Sequence, residues 1–463
     1  MPTLATTFAE RRRRLSGLVP GPVLLMGNGE RSRNLPMNKL PFRQDSTFLY
    51  FTGCAIPDAA MLLQDDYCTL FLVPPEHDDA LWHGEVEGFD TLRERYHVDA
   101  VRSIDELPVA IDDLTVQTIA VADESKNRRL TEITGEPLSF GKHYGDDALI
   151  DAIIALRRPK SQGEINELRA AAEVTAKAHV ACMRGTRPGG HEQHLTALFQ
   201  AILTYHDCTE GYGTILTQSG DVLHSRTHDA ELHNGRLLLL DGGAEVRTGY
   251  GADVTRTWPV SGKFDGRQRA AYQAVLDAQK TSIALTRPGV RYRTVHDASC
   301  LVLAQFLADE KLLRVSPEAA VEIGAHAVFY PHGTGHLLGM DVHDLENFGD
   351  RPAYPKGQGR PDLFGTRYLR LDLPLEAGWV VTIEPGFYVV PAILADKKLR
   401  ATFADAIDWD RAAQWAGFGG IRIEDDVLVT ADGPDVLTGS IPKEIAELEA
   451  IIGVGPTPEE RLC

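Results

Sequence analysis

Cysteine is scarce in this sequence and basic charge is outnumbered. The six cysteines among 463 residues (Cys54, Cys68, Cys182, Cys208, Cys300 and Cys463) include no C-x-x-C pair. Their scatter excludes a disulfide framework and a zinc knuckle, and points to a reduced, cytoplasmic setting. Lys and Arg number 47 against 66 Asp and Glu, a net charge of −19. Such a surface repels phosphate backbones and anionic lipids, so neither nucleic acid nor membrane is an expected partner. No apolar run approaches the ~18 residues of a membrane-spanning helix. Arg11 to Arg14 precede a mildly apolar stretch, as in a signal peptide, but Gly17, Pro20, Gly21 and Pro22 interrupt it and no small-residue cleavage site follows. A basic face on a first surface helix is expected instead. With 43% hydrophobic residues the chain is too apolar for wholesale disorder.

Residues 1 to 158 read as alternating short strands and helices. Pro22–Met26 and Thr69–Pro74 are compact apolar runs, as buried strands are, and Asp90–His97 is charged and helical in character. A polar stretch around Pro159 then leads into a helix start. Ser161 and Glu164 are spaced as a capping box, and Ile165, Leu168, Ala172, Ala176 and Val180 recur on one helical face. Beyond this boundary the pattern predicts helices over Gln268–Ala284 and His296–Ala308. It predicts strands over Arg236–Leu240, Trp379–Ile383 and Gly420–Thr430. Pro352–Gly365 and Pro391–Trp415 look like insertions, and no short-period repeat is visible.

Five segments of the second part end in acidic or imidazole groups. An apolar run delivers Asp241. In Ala252–Trp258 the period of two puts Asp253, Thr255 and Thr257 on one face. His332, His336 and His343 follow in a glycine-rich segment, then Val-Thr-Ile-Glu384 and Ile-Arg422-Ile-Glu424. Each alone is weak. A strand-end Asp commonly caps a turn, a single histidine commonly sits hydrogen-bonded in a core, and H-E-x-x-H is absent. Together they make four carboxylates and an imidazole beside β-branched core residues, where an unpaired acid is very costly. Such a set suits hard or borderline divalent ions. Four carboxylates and a bridging hydroxide nearly neutralise two such ions, whereas one ion leaves strong repulsion.

These segments resemble the metal-binding signature of the pita-bread metallopeptidases, the family of prolidase, aminopeptidase P, methionine aminopeptidase and metal-free creatinase. Phe42-Arg-Gln-Asp-Ser46, Tyr50-Phe-Thr-Gly53 and Leu81-Trp82-His-Gly84 resemble the N-terminal domain of prolidases and aminopeptidases P. The resemblance implies an α+β chain, with a creatinase-like N-terminal α/β domain over residues 1–158 and a pita-bread dinuclear catalytic domain over 159–463. It implies hydrolysis of the peptide bond before proline by a hydroxide bridging two divalent ions, manganese first, with cobalt or zinc as alternatives. Asp241 would chelate one ion, Asp253 and Glu424 bridge both, and His336 and Glu384 bind the second, with Glu384 also counted among the catalytic groups. His224, His332 and His343 match histidines that line the substrate site, and Arg422 and Tyr388 match groups that orient ligands. Trp82 matches a residue that reaches a partner's active site in related dimers, so a homodimer or a dimer of dimers is implied. Asp241 and Asp253 stand twelve positions apart, one more than usual, which is expected to lengthen the hairpin turn around Arg247-Thr-Gly249. His228 and His233 match nothing and read as surface or loop histidines.

Two features lean toward Xaa-Pro dipeptides: the long segment between Glu384 and Glu424, and Arg370. Arg370 stands fourteen positions before Glu384, where prolidases clamp the dipeptide carboxylate. Aminopeptidase P, acting on longer peptides, is the alternative. A non-catalytic binding protein of this fold is the distant one, since such proteins lose ligands and this chain keeps all five.

Overall fold

The structure, a computed structural model, describes residues 4–75 and 78–463. The chain forms two compact units, Met1–Arg158 with Leu345–Pro352, and Pro159–Asp344 with Ala353–Cys463. All six cysteines are free. Among the described residues no helix is long and apolar enough to cross a membrane.

In the first unit, Val23–Met26, Ala60–Gln64, Tyr67–Leu72 and Ala100–Ser103 form one sheet in that order. The first three are antiparallel and the last joins in parallel. Their inward side chains, among them Leu24, Leu62 and Phe71, pack on Leu107, Ile111 and Leu130. The first helix, Leu4–Leu18, corrects one expectation. Its arginines are not a plain basic surface, because Arg11 and Arg12 are buried. They donate to the backbone oxygens of Tyr50 (3.0 Å) and Phe51 (2.8 Å). Those carbonyls lie in the last turn of the helix Ser46–Thr52, where orphan acceptors and the helix dipole favour cations.

The second unit opens as its local chemistry dictates. Ser161 caps the helix Gln162–Gly185 and exchanges bonds with Glu164. The predicted helices become Gly266–Leu285 and Tyr292–Asp309. A longer duplication, without a short period, organises this unit. Thr186-Arg-Pro-Gly189 and Thr286-Arg-Pro-Gly289 each join two long helices. Both glycines are left-handed, at φ +81° and +82°. Each donates its N–H across 2.8 Å, to Leu232 and Leu375 respectively. Leu232 lies nine residues before Asp241, and Leu375 nine before Glu384. The duplication thus places the two carboxylates at matching ends of matching strands, Leu237–Asp241 and Val380–Ile383.

The segment expected as one strand over Gly420–Thr430 is two. Gly420–Arg422 pairs with Gly386–Tyr388, whereas Asp425–Thr430 pairs with Val380–Ile383 and Gly433–Val436. At the switch, Ile423 N–H bonds Pro385 O and Glu424 N–H bonds Thr255 O. Glu424 therefore sits where the chain passes between sheets.

Lys160 Nζ lies 3.1 Å from Asp344 Oδ2, with both side chains at most 2% exposed. Removing one partner strands the other charge in the core, so Asp344→Leu should lose about 3–5 kcal/mol in urea unfolding. Lys160→Met combined with Asp344→Leu should recover most of that loss. A double variant as weak as the single one would show that the pairing is not the source.

Candidate functional site

Apolar packing carries Leu237–Asp241 into the core, and its last residue presents a carboxylate. Asp241 pairs with Thr255, and the register continues through Ala244 and Ala252 to Val246 and Tyr250. The turn closes with Gly249 N–H on Val246 O at 2.8 Å, and Gly249 takes φ +87°. This is a three-residue loop with a glycine in the left-handed position. The extra residue is absorbed there without shifting the strands, so Asp253, opposite Gly243, stays on the face of Asp241. Gly243 has to lack a side chain, since a Cβ would lie 1.7 Å from Ala252 O.

The glycine-rich segment zips onto Val380–Ile383. His336 N–H bonds Thr382 Oγ1 (3.1 Å), Thr382 N–H bonds His336 O (3.0 Å), and Glu384 N–H bonds Thr334 O (2.8 Å). Gly335 permits the crossing, because a Cβ there would meet Thr382 O at 2.1 Å. His336 Nδ1–H donates to Leu337 O, which aims Nε2 at Asp253 Oδ2 (3.2 Å) with Glu384 Oε1 at 3.9 Å. Ligand atoms of Asp253, His336 and Glu424 all lie within 4.8 Å of one another, and the three residues are buried.

Around this cluster the partners are specific. Thr255 Oγ1 donates to Glu424 Oε2 (2.7 Å) and accepts from Arg422 Nε (2.9 Å). Arg422 also grips Asp241 and donates to Tyr388 OH (2.9 Å). His332 Nδ1 lies 2.8 Å from the Gly333 carbonyl, so it carries the proton, and Tyr388 O–H donates to Nε2 across 2.8 Å. His343 stacks on His336 with ring centroids 3.9 Å apart, from a left-handed backbone at φ +64°.

The electrostatics follow from burial and crowding. Burial, then Asp253, Glu384 and Asp241, push Glu424 well above the carboxylate range. Burial lifts Glu384 to about 7, helped by Asp253 and Asp241 and opposed by His336 and Arg422. Burial and Arg422 depress His332 to about 3. Burial lowers His336, but Asp253, Glu384 and the Leu337 carbonyl together raise it to about 9. Crowded buried carboxylates, with donor atoms of Asp253, His336 and Glu424 converging, fit a divalent cation with oxygen and nitrogen ligands.

All five acidic and imidazole residues, with His224, His332, His343, Arg370 and Arg422, line one cavity of about 900 Å³. Tyr388 is buried and reaches the site through His332 and Arg422. Trp82 is absent from the cavity wall; it is 64% exposed on the short helix Asp79–His83 of the first unit. His228, read as a loop histidine, also reaches the wall, and its Nδ1 bonds Leu216 O at 3.0 Å. Three residues escaped sequence reasoning. Tyr212 O–H bonds Asp241 Oδ1 at 2.6 Å, and nothing flags it beyond its place between two glycines. Asp426 receives Asp253 N–H on both carboxylate oxygens (3.1 and 3.3 Å), and the acidic run from Glu424 was its signal. Arg226 lies on the cavity wall.

Comparison with known proteins agrees with this arrangement. The family model described as Metallopeptidase family M24 matches residues 166–431, and that described as Aminopeptidase P, N-terminal domain, matches residues 8–120. The "Probable Xaa-Pro aminopeptidase PEPP" of Ajellomyces capsulatus is 34% identical over 464 residues, covering 96% of each chain. The aminopeptidase PepP of Pseudomonas aeruginosa superposes with a TM-score of 0.81 at 30% identity, covering 98% of each chain. An Escherichia coli aminopeptidase P superposes with a TM-score of 0.80 at 28% identity, covering 98% of this chain and 99% of that one.

Proposed function

The chain belongs to metallopeptidase family M24, with an aminopeptidase P N-terminal domain ahead of the catalytic part, and from that premise we propose that it is an Xaa-Pro aminopeptidase. It would remove the first residue from peptides whose second residue is proline. The observation that carries this reading is the buried convergence of Asp253, His336 and Glu424, flanked by Asp241 and Glu384, at the floor of a large cavity.

In this proposal Asp241 would hold one divalent ion, Asp253 and Glu424 would serve two, and His336 and Glu384 would hold the second. Manganese is the first expectation, since oxygen ligands dominate the set. The ions supply Lewis acidity, acidifying a water and polarising the scissile carbonyl. Glu384, whose Oε2 is 3.8 Å from His332 Nδ1, takes the water's proton. Neutral His332, locked by Gly333 O and Tyr388, relays the proton that Glu384 takes toward the leaving proline nitrogen, accepting on one ring nitrogen while releasing from the other, and His224 and His343 hold the developing oxyanion. Arg422 and Tyr212 clamp the two oxygens of Asp241 and keep it oriented. The catalytic part is assigned to residues 159–463, and a cytoplasmic homodimer completes the proposal.

The dipeptidase preference gives way to its alternative. The Ajellomyces relative, matching over 96% of both chains, is named as an Xaa-Pro aminopeptidase, and that supports the alternative over the dipeptidase. The cavity, near the top of the roughly 300–1,000 Å³ range of ligand sites, has room for more than two residues. Arg370 on the cavity wall is the one observation favouring dipeptides, and it decides the test. Metal-free enzyme reloaded with manganese, cobalt or zinc should cleave Xaa-Pro-Yaa with higher kcat/KM than Xaa-Pro. If dipeptides lead instead, and Arg370→Ala lowers them alone by roughly 10–150-fold, a carboxylate clamp is at work and the dipeptidase reading takes over.

A further inference from the structure

Arg226 lies on the wall of the active-site cavity and has no hydrogen-bond or ion-pair partner among the described residues. Its loop is anchored two residues on and closed locally across it. His228 Nδ1–H bonds Leu216 O at 3.0 Å, and Ser225 Oγ bonds Thr227 O at 3.3 Å. An arginine held on a wall without a protein carboxylate is a cation left for something else, since elsewhere in this acidic chain carboxylates are plentiful.

Its place relative to Arg370 orders the cavity. Burial and Arg422 chiefly lower the basicity of His332 and His224; Arg370 adds to the effect on both, Arg226 on His224 alone. Arg226 is exposed, Arg370 half-buried, and Asp253, His336 and Glu424 are buried, so Arg226 stands nearer the cavity mouth than Arg370 and farther from the carboxylate cluster at its floor. The opposite end is crowded with carboxylates that repel negative charge. A net charge of −19 makes any anionic part of a substrate dependent on a local cation.

We propose that Arg226 binds a carboxylate on the residue following proline, so that the enzyme favours substrates with negative charge at that position. This deepens the aminopeptidase reading and rests on it. The carboxylate has two sources with one chemistry, the free C-terminus of a tripeptide or an acidic side chain in a longer peptide. The planar guanidinium accommodates either through paired hydrogen bonds.

The test compares kcat/KM of the metal-loaded, full-length enzyme on Ala-Pro-Ala, Ala-Pro-Ala amide, Ala-Pro-Glu amide and Ala-Pro-Gln amide. Wild type should favour acid over amide, Glu over Gln, or both, by roughly 1.5–5-fold, the range for a solvent-accessible charged contact. Whichever ratio exceeds one identifies the source. Arg226→Gln should collapse that ratio toward one, Arg226→Lys should retain part of it, and added salt should compress it in wild type. Ratios near one in wild type, or a ratio unchanged in Arg226→Gln, overturn the inference while leaving the aminopeptidase reading intact. Failure to cleave any of the four overturns the aminopeptidase reading, and the inference with it.

Discussion

Asp253→Ala and Glu424→Ala should each bring turnover to background and leave the purified protein short of divalent metal. Asp253 Oδ2 is 3.2 Å from His336 Nε2, and Glu424 contributes the third atom of the same cluster. Removing either carboxylate takes away a donor that both ions would share, so neither ion should keep its affinity. Asp253→Asn is the sharper variant. It keeps the side chain's size, and the backbone N–H of Asp253 keeps its place on Asp426, so the fold has little reason to fail. Elemental analysis beside a rate measurement separates the two effects. Two ions per chain with a near-normal rate would sink the ligand assignment.

His332→Ala should lower kcat by roughly 10²–10⁴-fold while leaving metal content intact. Its imidazole is fixed by Gly333 O on one nitrogen and Tyr388 OH on the other, and burial keeps it neutral. A neutral, oriented ring can accept a proton on one nitrogen while releasing one from the other, and so relay it without ionising beforehand. The variant leaves untouched the grip of Arg422 on Asp241 and the bonds that aim His336. Its loss therefore should not spread to the cluster. If metal disappears along with activity, the roles of His332 and His336 have been exchanged.

Much of the site was legible because its chemistry is written in local patterns. A run of buried leucines ending in Asp241, and Val-Thr-Ile ending in Glu384, declare acids delivered at strand ends by core packing. The Ser161–Glu164 capping box needs only neighbours three residues apart, and it formed as read. The parity of Ile421 and Ile423 against Arg422 and Glu424 also held, with both isoleucines in the core. In each case the deciding interaction lies within a turn or along one strand, where spacing and geometry are the same thing.

What the sequence could not decide depends on residues far apart in the chain. Arg11 and Arg12 look like solvated charge until the carbonyls of Tyr50 and Phe51 are brought to them from 39 residues away. Gly420–Thr430 reads as one strand because alternation continues through it, but Thr255 and Pro385 capture the backbone midway and divide it between sheets. Tyr212 and Asp426 carry no spacing of their own; each matters through one bond, to the Asp241 carboxylate and the Asp253 amide. By itself the sequence determined which acidic and imidazole groups belong together, because acids beside a hydrophobic core need cations wherever the chain places them. Only the tertiary structure decided which atoms face which, since a side chain's partner is set by the backbone that packing delivers to it.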